Sequence, residues 1–160
     1  MNEQEMIEHL EATGDYRVLK RVPSRTVINR PAEGASLHRA MVIDLETMGV
    51  NAKSDKIIEL GLLCFTFSSD GVVYEVTHTL NQLQDPGEPI PDLIKQITGI
   101  TDHDVKNQSI DWDEILVLLN QTDLCIAHNA GFDRAFLEGP HVPEQLRDCL
   151  LYTSPSPRDS

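Results

Sequence analysis

Between Ala40 and Leu80 the chain carries three successive strand patterns, and after Pro91 the period changes to helix, strand and helix. No other feature restricts the fold as much as that order. Ala40 to Leu45 (Ala-Met-Val-Ile-Asp-Leu) is a short apolar run of the kind that forms a buried central strand. Lys56 to Phe67 is rich in β-branched and aromatic residues and closes on Ser68-Ser69-Asp70-Gly71, a hairpin-like turn, after which Val72 to Leu80 alternates apolar and polar. Three strands joined by short turns read as an antiparallel meander. Pro91 can then open a helix whose apolar positions are Leu93, Ile94 and Ile97 and whose stop is Gly99. Ile110 to Leu119 reads as a second helix with Ile115, Leu118 and Leu119 inward, Leu124 to Ala127 as a short buried strand, and Asn129 to Leu137 as a third helix. A meander followed by helix, strand and helix indicates a mixed α/β layer architecture.

The flanks follow other rules. Residues 2–13 are patterned as an amphipathic helix, with Met6, Ile7 and Leu10 on one side and Gly14 as a stop signal. Tyr16 to Val22 reads as a short strand, and Pro23 to Ser36 as a linker or extended arm. The expected division is an N-terminal helix and linker over 1–36, one domain over 37–148, and a tail over 149–160. That tail, Cys149 to Ser160, continues none of the preceding patterns and resembles the peptide translated from a sequencing-library adapter. On this reading the natural chain is cut near Asp148, and the tail is set aside from fold reasoning.

Charge narrows the function. The formal net charge is −13, whereas proteins that grip duplex DNA by its phosphates present a basic face. The nearest basic stretch, Arg17 to Arg30, holds only Arg17, Lys20, Arg21, Arg25 and Arg30. An acidic balance argues against a DNA scaffold but not against a metal-dependent enzyme holding a strand end, because bound cations bridge carboxylates to phosphate. No run reaches the eighteen or so apolar residues of a membrane span, and the acidic N-terminus lacks the order of a secretory signal. Three scattered cysteines, Cys64, Cys125 and Cys149, give neither a disulfide framework nor a zinc site, so a reducing cytoplasm is the expected setting.

Two short elements carry candidate chemistry. In Asp44-Leu45-Glu46 the strand period of two puts both carboxylates on one face and Leu45 on the other. Carboxylates that close repel unless a cation neutralises them, and hard oxygen donors suit Mg²⁺ or Mn²⁺. Taken alone, Asp-x-Glu is more often a strand end meeting solvent. In His128-Asn129-Ala130-Gly131-Phe132-Asp133 a strand runs directly into a helix, with Asp133 about one turn in. Taken alone, that Asp is ordinary compensation of the helix dipole.

Together, four blocks resemble the DEDD superfamily of 3′→5′ exonucleases, in its DnaQ-like histidine branch: Val42-Ile43-Asp44-Leu45-Glu46-Thr47-Met48-Gly49, Lys56-Ile57-Ile58-Glu59-Leu60-Gly61, Ile97-Thr98-Gly99-Ile100-Thr101, and Ile126-Ala127-His128-Asn129-Ala130-Gly131-Phe132-Asp133. The resemblance covers about residues 38–140. It implies a ribonuclease H-like mixed sheet, strands 1–3 antiparallel and strand 4 parallel to strand 1, flanked by helices, with the family's last strand and helix missing. It implies a two-metal hydrolysis of phosphodiester bonds at 3′ ends of single-stranded DNA or RNA, within a polymerase or repair complex. Asp44 would bridge two Mg²⁺ or Mn²⁺ ions, Glu46 would hold one, and Asp133 would position the other. Leu45, Thr47, Ile100, Asn129 and Phe132 match positions that contact the terminal nucleotide.

Two departures stand out. Met48 replaces a common threonine, a change expected to alter packing beneath the terminal base. More seriously, the family's third motif, a His followed five residues later by Asp, is absent. Of the six histidines only His128 has an Asp five on, and that is Asp133 of the second motif; His141 is followed by Leu146. The general base and a fourth carboxylate are therefore lacking, and impaired activity is expected. Other readings are a non-catalytic module that binds a nucleic-acid end or a protein, and, more weakly, a metal phosphatase for small phosphomonoesters.

Overall fold

The computed structural model describes residues 2–19, 21 and 25–144. In chain order they form α1 (Glu3–Ala12), β1 (His38–Thr47), β2 (Ile57–Phe67), β3 (Val73–Leu83), α2 (Asp92–Thr98), α3 (Asp102–Val105), α4 (Trp112–Leu119), β4 (Leu124–Ala127) and α5 (Ala130–Leu137). The strands make one sheet in the order β3-β2-β1-β4. β1 and β3 both pair antiparallel with β2, and β4 lies parallel to β1, with Ile43 opposite Ala127 at its end. This is the mixed sheet expected of a ribonuclease H-like fold. The turn from β2 to β3 closes as its residues dictate: Gly71 takes φ +83°, and its N–H and that of Ser68 bond Ser68 O and Val72 O.

Alternation along β1 sets the two faces of the sheet. Met41, Ile43, Leu45 and Thr47 are buried on one face, while Asp44 is exposed and Glu46 half-buried on the other. On the buried face Met41, Ile43 and Leu45 join Leu60, Leu62 and Cys64 of β2 beneath α4 and α5, which contribute Ile115, Leu118, Leu119, Ala130, Phe136 and Leu137. Fully buried side chains such as Met41 and Leu60 each supply about 1.5–3 kcal/mol of hydrophobic stabilisation. A second cluster, Ile58, Ile90, Ile100 and Val105, is flanked by Met48, Leu83 and Ile94.

Several expectations need correction. Tyr16 to Leu19 and Arg21 form no strand; Lys20 and Val22 fall outside the described residues. Part of the interval read as a linker or extended arm runs as an arm along the edge of β3. Val27 bridges Glu75, the amides of Ile28 and Asn29 bond Tyr74 O, and Val76 N–H bonds Thr26 O. That pairing covers part of an edge that would otherwise present unpaired backbone groups. In α2, Leu93 and Ile97 are 65% and 70% exposed, and only Ile94 packs on the second cluster. Gly99, at φ +76°, ends this helix after seven residues, so a single side chain reaches the core while Ile90 and Ile100 beside the helix fill the rest. The short helix α3 was not anticipated. Its start is a capping box in which Thr101 and Asp104 satisfy each other's backbone. The tail over 149–160 lies outside the described residues.

Close approach is required at Gly139. A Cβ there would meet Phe136 O at 2.8 Å and Ala52 O at 3.1 Å, both backbone atoms. Gly139→Ala is expected to destabilise the domain by about 1–3 kcal/mol, the usual cost of overpacking. A chemical denaturation midpoint unchanged from wild type would contradict this.

Candidate active site

The parallel register brings the ends of β1 and β4 together. β4 stops at Ala127, opposite Ile43, while β1 runs on through Asp44 and Glu46. The chain leaving β4 turns at His128-Asn129 into α5, and the first turn of that helix delivers Asp133 to the strand end. Ligand sites in open α/β sheets form at the carboxyl ends of strands. Asn129 O accepts the amides of Phe132 and Asp133, at 2.8 and 3.2 Å, which fixes the start of the helix.

Asp133 is 3% exposed. Burial, and then the negative charge of Asp44, push its carboxyl up to about 6, while backbone amides of Asp133, Leu45 and Asn129 act the other way. Glu46 is also raised, first by burial, then by Asp44 and by Glu59, its cross-strand partner. Asp44 thus acts electrostatically on both other carboxylates. Among the described residues, no group of three or more His, Cys, Asp or Glu side chains is placed to hold a metal ion as the chain stands. The oxygen donors nonetheless suit a hard divalent cation, with Glu46 and the buried Asp133 both disfavoured as anions beside Asp44.

This arrangement has a consequence for stability. The Asp133 carboxyl titrates near 3.8 when unfolded and at about 6 when folded, so the folded chain holds its proton more tightly. The associated stability is complete below about pH 4 and is lost as pH rises through about 6, on the order of 3 kcal/mol in all. In EDTA, Asp133→Asn is expected to flatten this dependence, becoming more stable than wild type at pH 8 but not at pH 4. Parallel denaturation curves for the two proteins across that window would contradict it.

The remaining expected site residues fall as follows. Leu45 points into the main core, so what it offers the site is its backbone amide against Asp133. Thr47 is 7% exposed, and its hydroxyl donates to Gly49 O at 2.6 Å. Ile100 is buried in the second cluster, where Met48 packs beside it. Asn129 is exposed, and its side chain makes no cap hydrogen bond. Phe132 is half-buried against the core, 4.9 Å from Phe136 between ring centroids. Glu59 is an acidic neighbour that sequence reasoning did not single out. It lies in one of the quoted blocks, but only the β1–β2 register sets it opposite Glu46.

Comparison with known proteins places the sequence in an exonuclease family and matches its fold. The profile of the RNase T family, described as an exonuclease, matches residues 41–139. Over 101 residues the chain is 35% identical to a PolC-type DNA polymerase III of Clostridium perfringens, covering 61% of this chain and 6% of the polymerase. It is 36% identical over 100 residues to the same kind of polymerase from Thermotoga petrophila, covering 61% and 7%. The chain therefore spans under a tenth of the length of these relatives. Among solved structures, exonuclease I in complex with the inhibitor BCBP aligns with a TM-score of 0.51 at 17% identity, covering 63% of this chain and 23% of that one. E. coli exonuclease I in complex with a dT13 oligonucleotide gives 0.50 at 18% identity, covering 62% and 22%. The two structural likenesses speak to the fold. With a family match across more than half its length, on a sheet whose strand ends gather Asp44, Glu46 and Asp133, this chain belongs to the RNase T exonuclease family of the DEDD superfamily.

Proposed function

We propose that the chain is built to remove nucleotides from 3′ ends of single-stranded DNA or RNA, with Asp44, Glu46 and Asp133 holding two Mg²⁺ or Mn²⁺ ions. The observation that carries this reading is that Asp44, at the strand end, raises both Glu46 and the buried Asp133. Such an arrangement is unfavourable for an empty protein and becomes favourable when divalent cations neutralise it. When bound, a metal pair supplies an activated water and charge stabilisation at the leaving oxygen.

The chain's own residues do the rest. Asp44, exposed on β1, acts on the charge of both neighbours and is assigned the bridging position. Glu46 would hold one ion, with Glu59 opposite it adding negative potential. Asp133, fixed by the first turn of α5, would hold the other. Thr47, Ile100, Asn129 and Phe132, with the Leu45 backbone, are assigned to the terminal nucleotide. None of the six histidines takes the place of a general base followed five residues on by Asp, so we assign this 160-residue chain impaired turnover.

A non-catalytic binding module for a nucleic-acid end or a protein is the second reading, favoured by that same lack and by the net charge of −13. A cytoplasmic setting, in association with a polymerase or repair complex, fits the relatives and the free thiols of Cys64 and Cys125. Among the described residues no helix is long and apolar enough to cross a membrane. The separating experiment uses a 3′-labelled oligonucleotide with Mn²⁺. Slow, EDTA-sensitive release of mononucleotides supports the exonuclease. Metal-dependent binding of the strand end with no release at any enzyme concentration supports the module.

A further inference from the structure

A cavity of about 330 Å³ lies between the start of β2, the 84–86 segment, the N-terminus of α4 and the chain beyond α5. Lys56, Asp85, Ser109, Trp112 and His141 meet in its walls. It opens near the end of the sheet that carries the carboxylates, since Lys56 O accepts the amide of Met48, yet none of Asp44, Glu46 or Asp133 lines it.

The lining groups divide into engaged and unengaged. Lys56 Nζ donates to Pro86 O at 2.6 Å and pairs with Glu88 at 2.8 Å. The Asp85 carboxylate accepts the amides of Gly87 and Asn107, at 2.8 and 2.9 Å. By contrast, among the described residues nothing hydrogen-bonds the indole N–H of Trp112, the hydroxyl of Ser109 or the ring nitrogens of His141. Trp112 is half-buried and packs against the main core as well as lining the cavity. An aromatic surface beside hydrogen-bonding groups is how proteins hold a flat heterocycle.

Charge decides what kind of ligand fits. The one ammonium is already offset by Glu88, and Asp85 adds a further negative charge, so the cavity carries no surplus to hold a phosphate. Its volume is at the small end for ligand pockets, suited to a single heterocyclic unit. We propose that this cavity is a second, metal-independent site that binds a nucleobase, stacked on Trp112 and hydrogen-bonded at its edge by Ser109 and His141. The base comes either from a free nucleoside or from a nucleic-acid strand whose 3′ end occupies the carboxylate site.

Trp112 is the single tryptophan of the chain, so its fluorescence reports on this cavity directly. Adenosine titrated in EDTA should quench it saturably, and ribose 5-phosphate should not. His141→Ala and Ser109→Ala, both at exposed positions, should weaken adenosine binding roughly three- to tenfold each. Asp44→Asn should leave it unchanged. With Mn²⁺ present, a phosphorothioate oligonucleotide that binds more tightly than adenosine does in EDTA, and loses affinity in the same two variants, identifies the strand as the source; equal affinity identifies the free nucleoside. The proposal is overturned if adenosine gives no saturable quench, if His141→Ala and Ser109→Ala bind as wild type does, or if Asp44→Asn abolishes the signal. Because the adenosine titration contains no metal, its failure leaves the exonuclease reading intact, and the reverse also holds.

Discussion

Asp44→Asn is expected to lower Mn²⁺-dependent nucleotide release by at least roughly a thousandfold while raising the melting temperature of the metal-free protein. The two effects share one cause. Asp44 is exposed at the end of β1 and contributes nothing to either hydrophobic cluster, so the fold does not need it. Its negative charge helps to raise both Asp133 and Glu46. Removing that charge relieves the empty site and lets the buried Asp133 ionise at less cost. The same change removes the carboxylate assigned to both cations, and metal-borne charge stabilisation is worth several kcal/mol at the transition state. A merely structural Asp would instead lose activity and stability together. The check is to run oligonucleotide degradation and thermal melts in EDTA on the same preparations; a variant that is both inactive and less stable would assign Asp44 to the scaffold.

Turnover by wild-type chain is expected to fall about 10²–10⁴-fold below that of a family member carrying the His-to-Asp motif, the usual cost of losing a general base. His128 is no substitute by pattern, because the Asp five residues after it is Asp133, which the proposal assigns to the metal site. His141 lines the separate cavity over Trp112. A water at the carboxylates would have to lose its proton to solvent. The measurement is single-turnover cleavage of a 3′-labelled oligonucleotide with saturating Mn²⁺, run beside a family enzyme that has the motif. Equal rates would mean that the base lies elsewhere in this chain.

The sheet was legible in the sequence because each strand announced itself locally. Ala40 to Leu45 is apolar enough to be central, and Gly71 marks the turn between β2 and β3. Asp44 and Glu46 could be placed on one face from the strand period alone, and the alternation of burial along β1 bears this out. What stayed hidden depends on distant pairing. The arm at Thr26 to Asn29 has no strand pattern and is ordered by the free edge of β3. Leu93 and Ile97 match a helical apolar face, yet a seven-residue helix with one core contact leaves them in solvent. Glu59 gained meaning only through the register that sets it opposite Glu46. The burial of Asp133 was equally invisible, since an Asp in the first turn of a helix is ordinarily solvated.

A divalent-metal site built by Asp44, Glu46 and Asp133 can be tested without relying on turnover. Mn²⁺ is titrated into the protein at pH 7.5 and followed by its electron paramagnetic resonance signal, for wild type, Asp44→Asn and Asp133→Asn. The expected result is saturable binding by wild type that weakens at least about tenfold in each variant, with folded protein throughout. Equal Mn²⁺ binding by all three proteins would contradict it.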